Sequence, residues 1–217
     1  VTDQHDQKLA VAIAAAGVIE QGMTVGLGTG STVELLLPAL AGRGLSIRCV
    51  ATSPQTEEAA RALGIAIESF EGIDRLDIAI DGADQVAPDG WLVKGGGGAH
   101  TREKLIEAAA DRFVVIADGS KLVEAIGPPI PLEVMPFGVA SVLRVLAPSA
   151  VRGVPHSPDG GIIADYNGAV EDPAALAARF DGTPGLIEHG LFPPSMVDEI
   201  LIGHADGTVE RRSVSGG

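Results

Sequence analysis

Between residues 23 and 117 short apolar runs alternate with helical patterns, and glycine-rich turns separate them. The spacing predicts strands over residues 23–27, 47–51, 65–68, 77–80, 91–93 and 113–117, and helices over 31–40, 54–63 and 101–110. An N-terminal helix carries Lys8. Strands that alternate with helices in this way favour a parallel, doubly wound α/β sheet. Aromatic residues make up only 3% of the chain, so the core must rest on Ala, Val, Ile and Leu. Those residues suit a parallel sheet covered by helices.

The pattern changes after Lys121. Residues 127–136 contain four prolines and read as a connector. Beyond them, 137–146 and 173–180 read as helices, and 162–164, 186–188 and 199–202 as strands, which predicts a small α+β domain. A chain of 217 residues is long enough to bury such a core beside the larger one.

The formal net charge is -14, which argues against a nucleic-acid or anionic membrane partner, because both reward clustered Lys and Arg. An anionic ligand must then be held by local donors against the field of the whole chain, and only four lysines are available: Lys8, Lys94, Lys104 and Lys121. The single Cys49 excludes an internal disulfide and a multi-cysteine metal site, and its apolar surroundings read as a buried structural thiol. No charged-then-apolar signal opens the sequence, and no apolar run approaches the ~20 residues of a membrane span. A cytoplasmic protein is the expectation.

Three glycine-rich turns carry the chemistry. The first, G-L-G-T-G-S-T from Gly26 to Thr32, lies between a strand and a helix, where converging backbone N–H groups and the helix start make an anion pocket. It is not a Walker A loop, since Gly30 stands where the lysine would. Nor is it a dinucleotide fingerprint, which wants glycine at Ser31 and an acidic residue where Ala51-Thr52-Ser53 stands. The hydroxyls of Thr29, Ser31 and Thr32 favour a terminal phosphate; a tight turn without a ligand is the bland alternative.

The second turn, D-G-A-D from Asp81 to Asp84, puts two carboxylates at a strand's carboxyl end, where open α/β sheets bind ligands. Such carboxylates can grip sugar hydroxyls or assist ring opening; an acidic surface turn is the alternative. The third, K-G-G-G-G-A-H-T-R-E-K from Lys94 to Lys104, leaves four positions without side chains, so backbone can approach a substrate closely. Glu103 falls in the first turn of the following helix, where the macrodipole favours a carboxylate.

Together with A-D-G-S-K ending at Lys121, P-L-E-V-M-P from Pro131 and P-G-L-I-E-H-G-L-F from Pro184 to Phe192, these segments resemble the type A ribose-5-phosphate isomerases, in the family's order and over most of the chain. The resemblance implies a Rossmann-like, mostly parallel sheet with helices on both faces over residues 1–126 and 204–217. It also implies a smaller α+β domain of ferredoxin or ACT type over 127–203. Further implications are a phosphosugar substrate, a homodimer or homotetramer, and no cofactor or metal.

Carried over by motif, Glu103 resembles the base, assisted by Asp81 and Lys94. Thr29, Gly30, Ser31 and Thr32 resemble the phosphate loop, with Lys121 and, more loosely, Lys8. Asp81, Gly82, Ala83, Asp84, Lys94, Gly95, Gly96 and Gly97 resemble the remaining substrate contacts. Two departures stand out: His100 replaces a common aliphatic residue, and P-D-G-G (Pro158 to Gly161) replaces a D-N-G-N turn.

Aldose–ketose isomerisation needs one base that serves two adjacent carbons, and donors for an enediolate oxyanion. The expectation is that folding gathers the three turns into one pocket. The remaining histidines, His5, His156, His189 and His204, show no metal-ligand spacing. Two other functions compete: acyl transfer with Glu103 as nucleophile, and a non-catalytic phosphosugar sensor. The hydroxyl-rich loop disfavours the first, and the lack of a basic helix-turn-helix before the domain disfavours the second.

Overall fold

A computed structural model describes residues 4–214. In chain order the elements are α1 (Gln4–Ala16), β1 (Thr24–Leu27), α2 (Ser31–Ala41), β2 (Arg48–Ala51), α3 (Pro54–Ala62), β3 (Ile78–Gly82), β4 (Gln85–Val86) and β5 (Leu92–Val93). They continue with α4 (His100–Ala108), β6 (Phe113–Asp118), β7 (Ile130–Val134), α5 (Val139–Val145), β8 (Ser149–Val151) and β9 (Ile162–Tyr166). The last are α6 (Pro173–Asp181), β10 (Leu186–His189), β11 (Leu191–Phe192), β12 (Glu199–Gly203) and β13 (Val209–Ser213). These elements divide into two compact units: residues up to Ala83, Arg102–Leu122 and those from Ser195 onward form the first, and Asp84–Thr101 with Val123–Pro194 the second.

The first unit is built on a six-stranded sheet in the order β13-β12-β6-β3-β1-β2. All its pairs are parallel except β12–β13. Every residue of β6 is buried, as expected of a strand covered on both faces. Helices α1 and α2 cover part of the sheet through Val11, Ala12, Ala15, Leu36, Leu37 and Leu40. Helix α3 starts where local chemistry dictates: the Ser53 hydroxyl accepts the Thr56 N–H and Pro54 occupies the first turn. In register, Leu27 lies beside Ala51 and Ile80, so the turns after β1, β2 and β3 leave the same end of the sheet.

One expected strand is absent. Residues 65–68 form only an isolated bridge, Cys49 to Ile67, with the Glu68 N–H on the Cys49 carbonyl. A 3-10 turn at Phe70–Gly72 follows at once and ends the pairing.

The second unit holds a four-stranded antiparallel sheet, β10-β7-β9-β8, and a small three-stranded sheet, β11-β5-β4. The proline-rich stretch read as a connector contains β7, an interior strand buried along its whole length. Its Pro131 is tolerated because its backbone faces Gly190: the Pro131 carbonyl accepts the Gly190 N–H, and the Gly190 carbonyl is taken by the Lys94 N–H, so no ladder bond needs a Pro131 N–H. Helices α5 and α6 cover the sheet with Val142, Leu146, Leu176 and Phe180. The Phe180 ring meets Tyr166 edge-on at 5.3 Å. Burying one such side chain contributes roughly 1.5–3 kcal/mol. The helix expected over 137–146 opens as a 3-10 turn, Pro136–Gly138, before α5 begins.

Candidate active site

In the first unit the hydroxyl loop and the first aspartate form one piece. Asp81, at the end of β3, points its carboxylate at the loop after β1. Its Oδ1 accepts the backbone N–H of Thr29 at 2.9 Å and of Gly82 at 2.6 Å. Gly28 has to be glycine there, because a Cβ would lie 1.9 Å from that carboxylate. Gly30 caps α2 with φ 122°, a conformation that L side chains rarely adopt.

The side chain of Thr29 turns sideways. Its hydroxyl lies 2.7 Å from that of Thr52, and Thr56 donates to the Gly28 carbonyl at 2.8 Å. Thr52 and Thr56 therefore brace the loop, a role the sequence reading did not assign. Their signal was present in the T-S-P-Q-T run that caps α3. Ser31 stands at the first turn of α2, and Lys8 on α1 donates to its hydroxyl at 2.9 Å. These two residues line a cavity of about 370 Å³ together with Gln4, His5, Glu34 and Leu35. Thr32 is buried.

Lys121 closes the 3-10 turn Gly119–Lys121 that follows β6. Asp118 holds that turn: its Oδ1 accepts the Ser120 N–H at 2.9 Å and the Gln4 amide at 3.2 Å. Burial opposes its charge, but the bonds from Ser120 and Gln4 and the nearby Lys8 charge prevail and keep its carboxyl below the ordinary range. The turn carrying Lys121 and the helix carrying Lys8 are thus clasped by one carboxylate. Asp118 lies in the A-D-G-S-K segment, where nothing within a few residues points to the contact with Gln4.

Glu103 is the fourth residue of α4 and is 3% exposed. One turn further on, Ile106 packs so closely on β1 that a Cβ at Gly26 would lie 2.6 Å from its Cγ2. The helix is seated on the sheet by a glycine of the first motif.

In the second unit Asp84, Lys94 and the four glycines form another connected piece. Asp84 Oδ2 accepts the Gly96 N–H at 2.7 Å. Lys94 is 2% exposed, donates its N–H to the Gly190 carbonyl at 2.9 Å, and has Nζ 5.4 Å from the Phe192 ring centroid. A cation over an aromatic face is stabilised by the ring quadrupole. The H-G-L-F run is thereby explained: Gly190 lets β11 approach, since a Cβ would lie 2.2 Å from the Lys94 carbonyl, and Phe192 lies beside the ammonium. Gly95 adopts φ 101° against the buried His100 ring. Arg152, overlooked in the sequence, donates to the carbonyls of Gly95 and Gly96.

Asp181, Glu188 and His189 are close enough to share a cation. The His189 ring argues otherwise. Its Nδ1 accepts the Leu191 N–H at 3.2 Å, which leaves the ring proton on Nε2, facing Asp181 at 3.1 Å. A ligating histidine needs the opposite arrangement, with its second nitrogen donating.

The sequence profile described as Ribose 5-phosphate isomerase A (phosphoriboisomerase A) matches residues 48–207. A ribose-5-phosphate isomerase A of Caulobacter sp. strain K31 is 43% identical over 220 residues, spanning 94% of this chain and 97% of the relative. Among solved structures, the ribose 5-phosphate isomerase A of Methanocaldococcus jannaschii superposes with a TM-score of 0.91 at 34% identity, covering 97% of this chain and 100% of that one. A D-ribose-5-phosphate isomerase in complex with phospho-erythronic acid gives 0.89 at 34% identity, covering 95% and 97%.

Proposed function

The chain belongs to the ribose 5-phosphate isomerase A family and interconverts D-ribose 5-phosphate and D-ribulose 5-phosphate, and we propose that Glu103 is the base that carries the proton between the two carbons. The observation that carries this reading is a carboxylate almost wholly withdrawn from water in the first turn of α4, directly after the four-glycine turn. General acid–base catalysis by one placed group contributes roughly 100- to 10,000-fold.

From the open-chain aldose, Glu103 removes the C2 proton. The C2–H electron pair becomes the C1=C2 bond of an enediolate and the carbonyl π pair moves to O1. Glu103 then returns its proton to C1, which takes up the C1=C2 π pair, while the O2–H proton passes to O1 and the O2–H electron pair re-forms the carbonyl at C2. Lys94 and the amides of Gly95 and Gly97 stabilise the oxyanion, while the Gly96 N–H stays on Asp84 and orders the turn. Asp81 assists ring opening, and Gly82, Ala83 and Asp84 contact the sugar hydroxyls. Thr29–Thr32, Lys121 and Lys8 hold the phosphate, which orients the substrate without taking part in the chemistry. No step calls for a metal.

The test is a coupled assay with ribose 5-phosphate in EDTA, on wild type and on Glu103→Gln. Full wild-type activity in EDTA and a ~100-fold or greater fall in kcat for the folded variant are expected. Near-wild-type turnover by Glu103→Gln would end the assignment. We also infer a cytoplasmic homodimer or homotetramer. Phe137 is 99% exposed, and Met135 and Ile187 are half-exposed on neighbouring segments, an apolar set that a second copy would cover. Light scattering that returned the mass of a single chain would refute it.

A further inference from the structure

Arg152 follows β8 and divides its guanidinium between two tasks. Nε and Nη2 form a fork on the Asp165 carboxylate of β9, with Nε–Oδ2 at 2.9 Å. Nη1 is left for the glycine turn, and donates to the Gly95 carbonyl at 3.1 Å and the Gly96 carbonyl at 2.9 Å. The bonds to Asp165, with the charges of Asp165 and Asp84, keep the group firmly ionised although it is partly buried.

We propose that Arg152 is a positioning residue of the isomerase: it fixes the peptide planes of the glycine turn so that the turn's amides are aimed before substrate arrives. The inference rests on the reading that this turn contacts the reacting end of the sugar.

The physical need is plain. Residues 95–98 have no side chains with which to hold themselves, and glycine loses more backbone freedom on ordering than any other residue. A donor stabilises a developing oxyanion strongly only if it is already oriented. In a trans peptide the carbonyl of one residue and the N–H of the next point in opposite directions within one plane. A hydrogen bond to the Gly95 carbonyl therefore sets the Gly96 N–H, which points at Asp84 Oδ2 at 2.7 Å. By the same geometry the bond to the Gly96 carbonyl turns the Gly97 N–H away from Arg152. The Gly98 N–H closes the turn on the Gly95 carbonyl at 3.0 Å. One fixed guanidinium thus decides where two consecutive amides point, and Asp165 decides where the guanidinium sits. Lysine could supply a charge there but not the fork.

The test uses the full chain with Arg152→Ala and Arg152→Lys, assayed for kcat and KM and for binding of phospho-erythronic acid and inorganic phosphate. For Arg152→Ala the expected result is a kcat lower by about 10- to 100-fold with KM within about threefold. Phospho-erythronic acid should bind more weakly, inorganic phosphate should bind unchanged, and Arg152→Lys should fall between. If Arg152→Ala does not fold, the same pattern in Arg152→Lys decides. Wild-type kcat in a folded variant, or a rise in KM alone, overturns the inference. Glu103→Gln separates it from the base assignment, because that variant should lose turnover yet still bind phospho-erythronic acid. Arg152→Ala should lower both.

Discussion

The carboxylate of Asp81 fills the space that a side chain at Gly28 would need, with 1.9 Å between a Cβ there and Oδ1. A residue proposed for sugar chemistry is therefore also the clasp of the phosphate loop, through its bond from the Thr29 N–H. The two motifs are one mechanical object.

Gly28→Ala should break that object. The contact is with a carboxylate held by two backbone donors, so relief requires losing those bonds or moving β1. Overpacking of this kind costs about 1–3 kcal/mol of stability. Thermal melts should show that loss, and the coupled assay should show a kcat lower by roughly 100-fold, the size expected when groups that position a substrate are displaced by about 1 Å. An alanine variant with wild-type kcat and KM would show that the clasp has no bearing on turnover.

Acid stability should depend on Asp118. Its carboxyl is held below the ordinary range in the folded chain, so its contribution is complete above the unfolded value of about 3.9 and disappears as pH falls through the lower folded value. Asp118→Asn should therefore be less stable than wild type near pH 7, and the gap should narrow below about pH 4. Melting temperatures of both proteins between pH 7 and 3 test this. A gap that stayed constant would mean that packing, and not charge, is what Asp118 supplies.

Gly190→Ala should disturb Lys94 from a distance of 96 residues along the chain. The added methyl would meet the Lys94 carbonyl at 2.2 Å and the Pro131 ring at 2.9 Å, so β11 must move away and the Lys94 N–H loses its acceptor. A kcat lower by about tenfold or more is expected, with roughly 1–3 kcal/mol lost in a denaturant melt. An unchanged kcat in a folded variant would detach the H-G-L-F run from the reaction.

Cys49 should be inert. It is fully buried, and burial, aided by the Glu68 charge, pushes its thiol up to about 12. The thiolate is the reactive form. Iodoacetamide should leave the native enzyme unlabelled and active at pH 8, and label it fully in denaturant. Rapid labelling of native protein would show that β2 opens readily.

Much of the site was legible because it is local. A glycine before a helix start that carries a serine and a threonine, paired aspartates at a strand end, and a carboxylate in the first turn of α4 each follow from neighbours within a few residues. Alternation of apolar runs with helical spacing predicted the parallel sheet for the same reason. Local signals also misled. Four prolines suggested a connector at residues 127–136, where β7 runs through the middle of a sheet, because what matters for a proline is whether its partner strand asks for an N–H.

The sequence by itself determined which backbone turns form and which side chains they carry, since glycine freedom, helix caps and side-chain periodicity act over a few bonds. Only the tertiary structure decided what holds those turns: Asp81 against Gly28, Gly190 and Phe192 at Lys94, and Arg152 on the glycine carbonyls 56 and 57 residues away. The reason is that such contacts depend on strand order and register, which link distant parts of the chain and leave no periodic trace within either.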